Sequence, residues 1–227
     1  MHSTRSHGIC SVGMPIFTRN GRSLLFVHVP KAGGTSVEKG LADAGWQMSM
    51  RATRRTEGRE LFDLRRVSPQ HYHATLLQDL LRIERFDAVF TVVREPLARF
   101  RSEYAMRCRD ATAGTADQVE AWTRRRLARY ESNPSMMDNH LRPQEEFLLP
   151  GARVYRLEDG LEAVSADLND RCDLDLPSRF PRKLRSGGSR RPLASSDVEL
   201  NPEVVRLLTD FYAGDFDTLG YPTPADR

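Results

Sequence analysis

Cysteine is scarce in this chain of 227 residues, which contains only Cys10, Cys108 and Cys172. These three lie far apart and form no Cys-x-x-Cys pair, so the sequence indicates neither a zinc site nor a disulfide framework. Long apolar runs are also missing. No segment approaches the roughly 20 apolar residues that span a bilayer, and residues 1–17 lack the apolar core of a signal peptide. These absences predict a soluble, cytoplasmic protein with no transmembrane segment.

Lysine is the second scarce residue type. Lys31, Lys39 and Lys183 are the only three among 34 basic residues, and the others are arginines, whose planar forks of donors suit phosphate and sulfate. The formal net charge is only +3, and the arginines are interspersed with acidic residues, so no nucleic-acid partner is predicted. With 39% hydrophobic residues, the chain can bury a core of its own.

Hydrophobic patterning divides the chain into short strands that alternate with helices. Strands are predicted at 23–29, 86–93 and 152–159. Helices are predicted at 35–44, 74–83, 95–107, 117–131, 160–168 and 202–216. This order favours an α/β domain with a mainly parallel sheet. Residues 1–22 are predicted to be a flexible leader, 23–227 a single domain and 177–196 a mobile loop within it, while Thr35 and Glu38 fit a capping box.

The stretch FVHVPKAGGTSVEKG, residues 26–40, passes from an apolar strand through a glycine pair to a helix start. The free amides of a helix's first turn and the helix dipole favour an anion at such a place. Gly33 and Gly34 would let the backbone approach the anion, and Lys31 would add a positive charge. The next two residues, Thr35 and Ser36, would add hydroxyl donors. The pattern predicts a phosphate site, and an ordinary strand-to-helix turn with an incidental lysine is the alternative.

The loop is not a Walker A motif, in which a lysine directly follows the second glycine. Here Lys31 precedes both glycines, and Val29 stands where the first glycine of that motif belongs. No acidic residue suited to magnesium follows the strand at 86–93. A divergent P-loop kinase that uses ATP and magnesium is therefore an alternative that the spacing disfavours.

A second stretch, TVVREPLARFRSEY, places Arg94 at the end of a strand and Ser102 about two turns into the following helix. In a parallel sheet, both strand ends open on the same edge, where α/β folds bind their ligands. Arg94 and Ser102 could then hold a second phosphate through a guanidinium fork and a hydroxyl. The alternative is a surface ion pair of Arg94 with Glu95 or Glu103.

Together, HVPKAGGTS and VVREPLARFRSEY resemble the two cofactor signatures of sulfotransferases that use 3′-phosphoadenosine 5′-phosphosulfate (PAPS). The chain looks most similar to the carbohydrate branch, with its heparan sulfate 2-O-like and chondroitin-like members, and the likeness covers most of 23–222. It implies a P-loop-like three-layer fold and transfer of a sulfuryl group to a hydroxyl, favouring a carbohydrate acceptor. By this resemblance Arg94 and Ser102 hold the 3′-phosphate. The residues of the 5′-phosphosulfate motif are Pro30, Lys31, Ala32, Gly33, Gly34, Thr35 and Ser36.

The segment SPQHYHA, residues 68–74, resembles the family's histidine segment, in which a histidine serves as general base. His71 and His73 are both candidates, because residues two apart face the same way on an extended chain. An imidazole suits that role at neutral pH. His28, in the strand before the glycine loop, is predicted to be structural.

Other segments carry weaker similarities, among them VYRLED at 154–159 and FYAGDFDTLGY at 211–221. In DNHLRPQEEFL, residues 138–148, the candidate contacts to the acceptor are His140, Arg142 and Gln144, and helix packing is their alternative role. The Asn-x-Ser element that many members carry before the last helix is missing. Arg185 and Ser186 are predicted to stand in for it.

The mechanism implied by the resemblance needs positioning and charge stabilisation in place of a metal. Lys31 is the candidate cation at the leaving-group oxygen, and no metal is predicted. A non-catalytic module that binds nucleotides or anionic glycans remains an alternative, since the paired motifs also fit it. The Arg-rich helix at 123–129 and the loop at 182–191 would suit an acidic polymer or be solvated faces. The sequence leaves the acceptor and the oligomeric state open.

Overall fold

The computed structural model describes residues 16–49, 64–108, 111–178, 180 and 193–226. Five strands form one sheet in the order β3-β1-β2-β4-β5. They are β1 (Ile16–Arg19), β2 (Arg22–Val27), β3 (Gln47–Ser49), β4 (Ala88–Val93) and β5 (Arg153–Arg156). The α-helices are α1 (Gly34–Asp43), α2 (Ala74–Leu80), α3 (Pro96–Arg107), α4 (Ala116–Ser132), α5 (Leu161–Cys172), α6 (Pro202–Phe211) and α7 (Ala213–Leu219).

The centre of the sheet is parallel and one side of it is antiparallel. Strand β4 runs parallel to β2 and to β5, whereas β1 pairs antiparallel with β2 and β3. Val27 lies opposite Thr91, whose hydroxyl also donates to the Val27 carbonyl over 2.8 Å. Strands β2 and β4 therefore end side by side, and the segments that follow them leave from the same edge of the sheet.

Helices cover both faces of the sheet, so the protein has three layers. The apolar residues of β2 alternate between two cores: Leu24 and Phe26 enter one, Leu25 and Val27 the other. Helices α1 and α5 close the first core with Val37, Leu41, Val164 and Leu168. Helices α3, α4 and α6 close the second with Leu97, Phe100, Trp122, Val204 and Leu208. The predicted α/β fold with a central sheet flanked by helices is confirmed.

The predicted leader is wrong for residues 16–22. Residues 16–19 form β1, where Phe17 is fully buried, and the turn at Asn20 and Gly21 leads directly into β2. Polar residues in this turn and the short length of β1 hid the hairpin from a periodicity analysis. Residues 1–15 lie outside the described part of the chain, as does most of the predicted loop 177–196.

Two local predictions about helix ends are also wrong. Helix α1 begins at Gly34 with no side-chain cap, and Glu38 binds the ring of His28 instead of closing a capping box. The helix predicted at 202–216 breaks at Tyr212, so that α6 and α7 are separate. In both places a tertiary contact replaces the local pattern. In the first it is the bond between Glu38 and His28, and in the second the buried Tyr212 hydroxyl donates to the Leu141 carbonyl over 3.1 Å.

The described residues bear on two of the features drawn from scarce residue types, the cysteines and the long apolar runs. Cys108 and Cys172 are free and half-buried, and Cys10 lies outside the described residues. Among the helices of the described ranges, none is both long enough and apolar enough to cross a bilayer.

Candidate active site

The loop between β2 and α1 brings main-chain amides to the edge of the sheet. Gly33 has a φ of 89°, a left-handed conformation that glycine adopts without steric cost. Gly34 is required for a different reason, since a Cβ on it would overlap the imidazole of His28. Lys31 is left-handed as well, with a φ of 69°. Ala32 is fully buried, so it supports the loop from behind.

A methyl group at Gly34 should destabilise the protein because the His28 ring is held in place by Glu38 and cannot swing away freely. We expect Gly34→Ala to lower the free energy of unfolding by about 1–3 kcal/mol, measured by urea denaturation. The matched background is His28→Ala, which removes the ring. There the same methyl group should have a smaller effect, and an equal loss in both backgrounds would contradict the proposed overlap.

Arg94 follows β4 and reaches the glycine loop. Its Nη1 lies 3.5 Å from the carbonyl oxygen of Lys31, to which it donates. Gln144 fixes its main chain from the other side: the Arg94 N–H donates to Oε1 over 2.9 Å, and Nε2 donates to the Arg94 carbonyl over 2.7 Å. Burial lowers the pKa of the Arg94 guanidinium. The two segments predicted to converge therefore lie in contact.

A cavity of about 430 Å³ opens between these two segments at the carboxyl edge of the sheet. Met106 and Gln70 are among its walls, and the Lys31 ammonium lies 3.3 Å from the sulfur of Met106. Of the residues predicted from the sequence, those lining the cavity are Pro30, Lys31, Gly33, Gly34, Thr35, Ser36, His71, Arg94, Ser102 and His140. One cavity is thus lined by main-chain amides, hydroxyl groups, imidazole rings and the cationic side chains of Lys31 and Arg94.

Three histidine rings form a row along this cavity. The centroids of His28 and His71 are 5.1 Å apart, those of His71 and His140 are 4.9 Å apart, and both pairs meet edge to face. The prediction that His28 is only structural is therefore incomplete, since its ring also lines the cavity. The central ring, His71, contacts both of the others.

Each of the three rings is bonded at Nδ1 to a carboxylate. The pairs are His28 with Glu38 at 2.6 Å, His71 with Asp138 at 2.8 Å and His140 with Glu103 at 2.6 Å. A carboxylate only accepts hydrogen bonds when ionised, so it selects the tautomer that carries the proton on Nδ1. The Nε2 atom of a neutral ring in this state is free to accept a proton.

A comparison with protein-family models agrees with a site of this kind at the carboxyl edge of the sheet. The family model for the sulfotransferase family matches residues 14–222, which is most of the chain. The chain belongs to the sulfotransferase family. No curated protein and no solved structure matches it significantly. Sulfuryl transfer to a hydroxyl-bearing acceptor is the general chemistry that this membership supports.

In this sulfotransferase, the two candidate bases have different positions. His71 ends a 3-10 turn, Pro69–His71, and is buried against the cavity, where burial is the main cause that lowers its pKa to about 4. His73 lies at the start of α2 and is not among the described residues that line the cavity. Burial and the charge of Arg142 lower its pKa as well. The turn explains the difference, because side chains two apart share a face only on an extended chain.

The segment predicted to bind the acceptor is mainly a support for the site. Gln144 is fully buried and holds the main chain of Arg94. Arg142 is buried too, and it donates to the Asn139 side chain over 3.1 Å and to Glu146. The polar groups of Arg142 and Gln144 are both used internally, which favours their alternative role in packing, and their contact with an acceptor stays a prediction.

Arg99, on α3, connects the glycine loop to that support. Its guanidinium is buried and donates to the carbonyl oxygens of Pro30, His140 and Arg142, over 3.0, 3.0 and 2.8 Å. No sequence pattern singled it out, because its partners are main-chain atoms that leave no trace in residue type. Arg99 therefore fixes the two chain segments that carry Lys31 and His140.

The sulfotransferase site also contains one group of side chains with metal-ligating atoms. Within the described ranges, His71, Asp138 and His140 each offer one such atom, and these lie within 4.8 Å of one another. Both oxygens of Asp138 already accept hydrogen bonds, one from the Ser68 amide and the other from the Ser68 hydroxyl and His71. A cation would have to replace these bonds, so we assign no metal-dependent step to the group.

Several residues of the site were not found from the sequence. The carboxylates Glu38, Glu103 and Asp138 lie 10, 37 and 67 residues from their histidine partners, too far for any local pattern. Glu103 was considered as a partner for Arg94 but binds His140. Arg185 and Ser186 fall outside the described residues, so their role near the nucleotide stays a prediction.

Proposed function

We propose that this sulfotransferase uses PAPS as donor and transfers its sulfuryl group to a hydroxyl of a carbohydrate. One observation carries the proposal: Lys31, Arg94 and His71 line a single cavity at the carboxyl edge of the sheet. Two of these are cations suited to a bisphosphate, and the third is a base. The kinase alternative would instead need a carboxylate for magnesium at the end of β4, where Arg94 stands.

The donor has two anionic ends, and the cavity has two cationic places for them. The α1 N-terminus, with Lys31 and the hydroxyls of Thr35 and Ser36, would hold the 5′-phosphosulfate. Arg94 and Ser102 would hold the 3′-phosphate through a fork and a hydroxyl. The contact between Arg94 and the Lys31 carbonyl, and the cavity that both residues line, support binding of a single nucleotide across the two places.

Transfer joins the acceptor oxygen to sulfur and breaks the bond from sulfur to the 5′-phosphate oxygen. The acceptor proton goes to Nε2 of His71, and the negative charge that develops on the leaving phosphate is stabilised by Lys31. The His71 proton on Nδ1 stays bonded to Asp138 throughout. No redox change occurs, and adenosine 3′,5′-bisphosphate is the second product.

A second cavity, of about 580 Å³, supports the proposal of a carbohydrate acceptor. Arg66, Arg126 and Arg129 line it together with hydroxyl and amide side chains, and Met137, the residue before Asp138, also lines it. Within the described part of the chain, none of these arginines forms an ion pair with a carboxylate, although Arg126 stacks over Trp122. A polar, basic cavity suits a polyhydroxylated and acidic acceptor better than an apolar alcohol.

Nucleotide binding separates this function from its alternatives. We expect adenosine 3′,5′-bisphosphate to bind with a micromolar dissociation constant, with and without magnesium, in isothermal titration calorimetry. AMP, which lacks the 3′-phosphate, should bind at least tenfold more weakly, because one charge-assisted fork is lost. In Arg94→Ala this preference should shrink strongly, since only the Ser102 hydroxyl would then remain to distinguish the 3′-phosphate.

The matched control is Arg101→Ala, an arginine of the same helix as Ser102 that does not line the cavity among the described residues. It should leave the preference for the bisphosphate intact. Tighter binding of ATP with magnesium would overturn the proposal in favour of a kinase. Binding of the bisphosphate without turnover of PAPS over a broad panel of glycans and sugars would favour the non-catalytic module.

A further inference from the structure

Asp138 lies in a backbone turn that residues with side chains rarely adopt. Met137, Asp138 and Asn139 have φ values of 55°, 62° and 61°, three left-handed residues in succession. Left-handed φ is unusual for single residues other than glycine, and a run of three persists only where the surroundings fix it. The contacts of this turn therefore indicate what it holds in place.

All three residues of the turn are bonded to the segment around His71 or to the helix behind it. The carboxylate of Asp138 accepts from the Ser68 amide and hydroxyl, both at 2.5 Å, and from Nδ1 of His71 at 2.8 Å. The buried amide of Asn139 donates to the His71 carbonyl over 2.8 Å. The Met137 carbonyl accepts from Arg107 of α3 over 3.2 Å. The turn thus holds both the ring and the main chain of His71.

We propose that Asp138 is a positioning residue that keeps the proton of His71 on Nδ1 and so leaves Nε2 unprotonated for the acceptor hydroxyl. This inference rests on the proposed function, in which His71 is the base. Asp138 acts through His71 and does not itself touch the acceptor. The left-handed turn places the carboxylate 2.8 Å from Nδ1 of His71, closer than the Ser68 hydroxyl, which lies 3.3 Å from the same nitrogen.

The Ser68 amide makes the substitution Asp138→Asn informative. That amide can only donate, and it donates to Oδ1 of Asp138. In the asparagine variant the amide oxygen must take this place, which turns the NH₂ group towards Nδ1 of His71. Nδ1 then has to accept, and the ring proton moves to Nε2. Asparagine is also tolerated in left-handed backbone, so the turn should survive.

The first measurement is the tautomer of His71, read from ¹⁵N shifts and long-range couplings in histidine-labelled protein at pH 7. In the natural chain we expect the Nδ1–H form, and in Asp138→Asn the Nε2–H form. His140, whose ring is held by Glu103, is the internal control and should keep its tautomer. Asp210→Asn, at an exposed ion pair on α6, is the control variant.

The second measurement is turnover. Asp138→Asn should lower kcat by about a hundredfold, because the productive tautomer becomes a minor species, with KM for PAPS and the affinity for adenosine 3′,5′-bisphosphate unchanged. Ser68→Ala, which removes a hydroxyl but leaves the bond from carboxylate to imidazole, should lower kcat by less than about threefold. Should Asp138→Asn fail to fold, Asp138→Gly suits the left-handed φ and removes the carboxylate that accepts from Nδ1. A smaller share of the Nδ1–H form in that variant would support the role, and an unchanged share would overturn it.

The two measurements test different parts of the proposal. An unchanged Nδ1–H tautomer in Asp138→Asn overturns the positioning role, whether or not the chain is a PAPS enzyme. A changed tautomer with unchanged kcat shows that His71 is not the base, so it overturns the mechanism and the role of Asp138 within it. A fall in kcat with a matching fall in Ser68→Ala and a lowered unfolding midpoint would reduce Asp138 to a structural residue.

Discussion

Replacing Lys31 with alanine should lower kcat for sulfuryl transfer by about 10²–10³-fold, the typical loss when one preorganised donor to a developing negative charge is removed. The charge on the leaving phosphate grows only as the bond to sulfur breaks, so the ammonium stabilises the transition state more than the bound donor. KM for PAPS should change much less than kcat. The measurement is steady-state release of adenosine 3′,5′-bisphosphate with an acceptor found in a glycan panel.

Lys39→Ala is the matched control for Lys31→Ala. Lys39 is a lysine of α1, exposed and paired with Asp43 four residues on, and should not affect turnover. Lys31→Arg tests the geometry: it retains the charge but replaces a compact ammonium with a planar fork, so we expect partial activity. A loss of donor affinity with kcat unchanged in Lys31→Ala would contradict the role, because it would assign Lys31 to uniform binding of donor and transition state.

The glycine loop could be predicted because its determinants are local. The order of an apolar strand, Lys31, two glycines and a helix start is visible in fifteen consecutive letters. The structure adds the reasons for the glycines, which differ: φ for Gly33 and the nearby ring of His28 for Gly34. The convergence of the glycine loop with Arg94 could be predicted as well, because parallel strands end on one edge of a sheet.

The histidine–carboxylate pairs could not be predicted in the same way. Each pair joins residues from different elements, and the register of the sheet, not the sequence, decides which side chains meet. Glu38 illustrates this, because its spacing from Thr35 indicates a capping box. The buried His28 beyond the end of β2 offers that carboxylate a partner at 2.6 Å, and this tertiary bond replaced the predicted local one.

The segment 138–148 was considered for the acceptor because it resembles a segment of the family, but that likeness does not distinguish residues that bind an acceptor from residues that support the site. Gln144 and Arg142 satisfy buried main-chain and side-chain groups, as buried polar residues usually do. Only His140 from the predicted set reaches the cavity. The helix-packing alternative that the sequence left open therefore describes Arg142 and Gln144 better than contact with the acceptor does.

His71→Gln should lower kcat by about 10³-fold while leaving nucleotide affinity unchanged, because glutamine keeps a polar side chain but offers no base. His73→Ala is the control, since it removes the other candidate from the same segment and its ring does not line the cavity among the described residues. Single-turnover assays should place the loss of His71→Gln in the chemical step. A similar loss in His73→Ala would contradict the assignment of the base.

The pH dependence provides a second, independent test of His71. A base must be unprotonated, and the pKa of His71 is lowered to about 4, chiefly by burial, with the neighbouring charges of His28 and His140 acting in the same direction and Asp138 opposing them. Activity should therefore be retained well below pH 6.5, where an ordinary histidine would already be protonated. The acid limb of kcat/KM, which reports the free enzyme, should lie near pH 4.

When the donor is bound, we expect the acid limb of the pH profile to shift to higher pH, and kcat reports this bound state. Under the proposed function, PAPS would bring negative charge into the cavity that His71 lines. An anion nearby favours the protonated imidazole, so the pKa of His71 should be higher in the complex than in the free chain. The acid limb of kcat should therefore lie at higher pH than that of kcat/KM, and both should vanish in His71→Gln. An acid limb that survives this substitution would assign the titration, and with it the base, to another residue of the cavity.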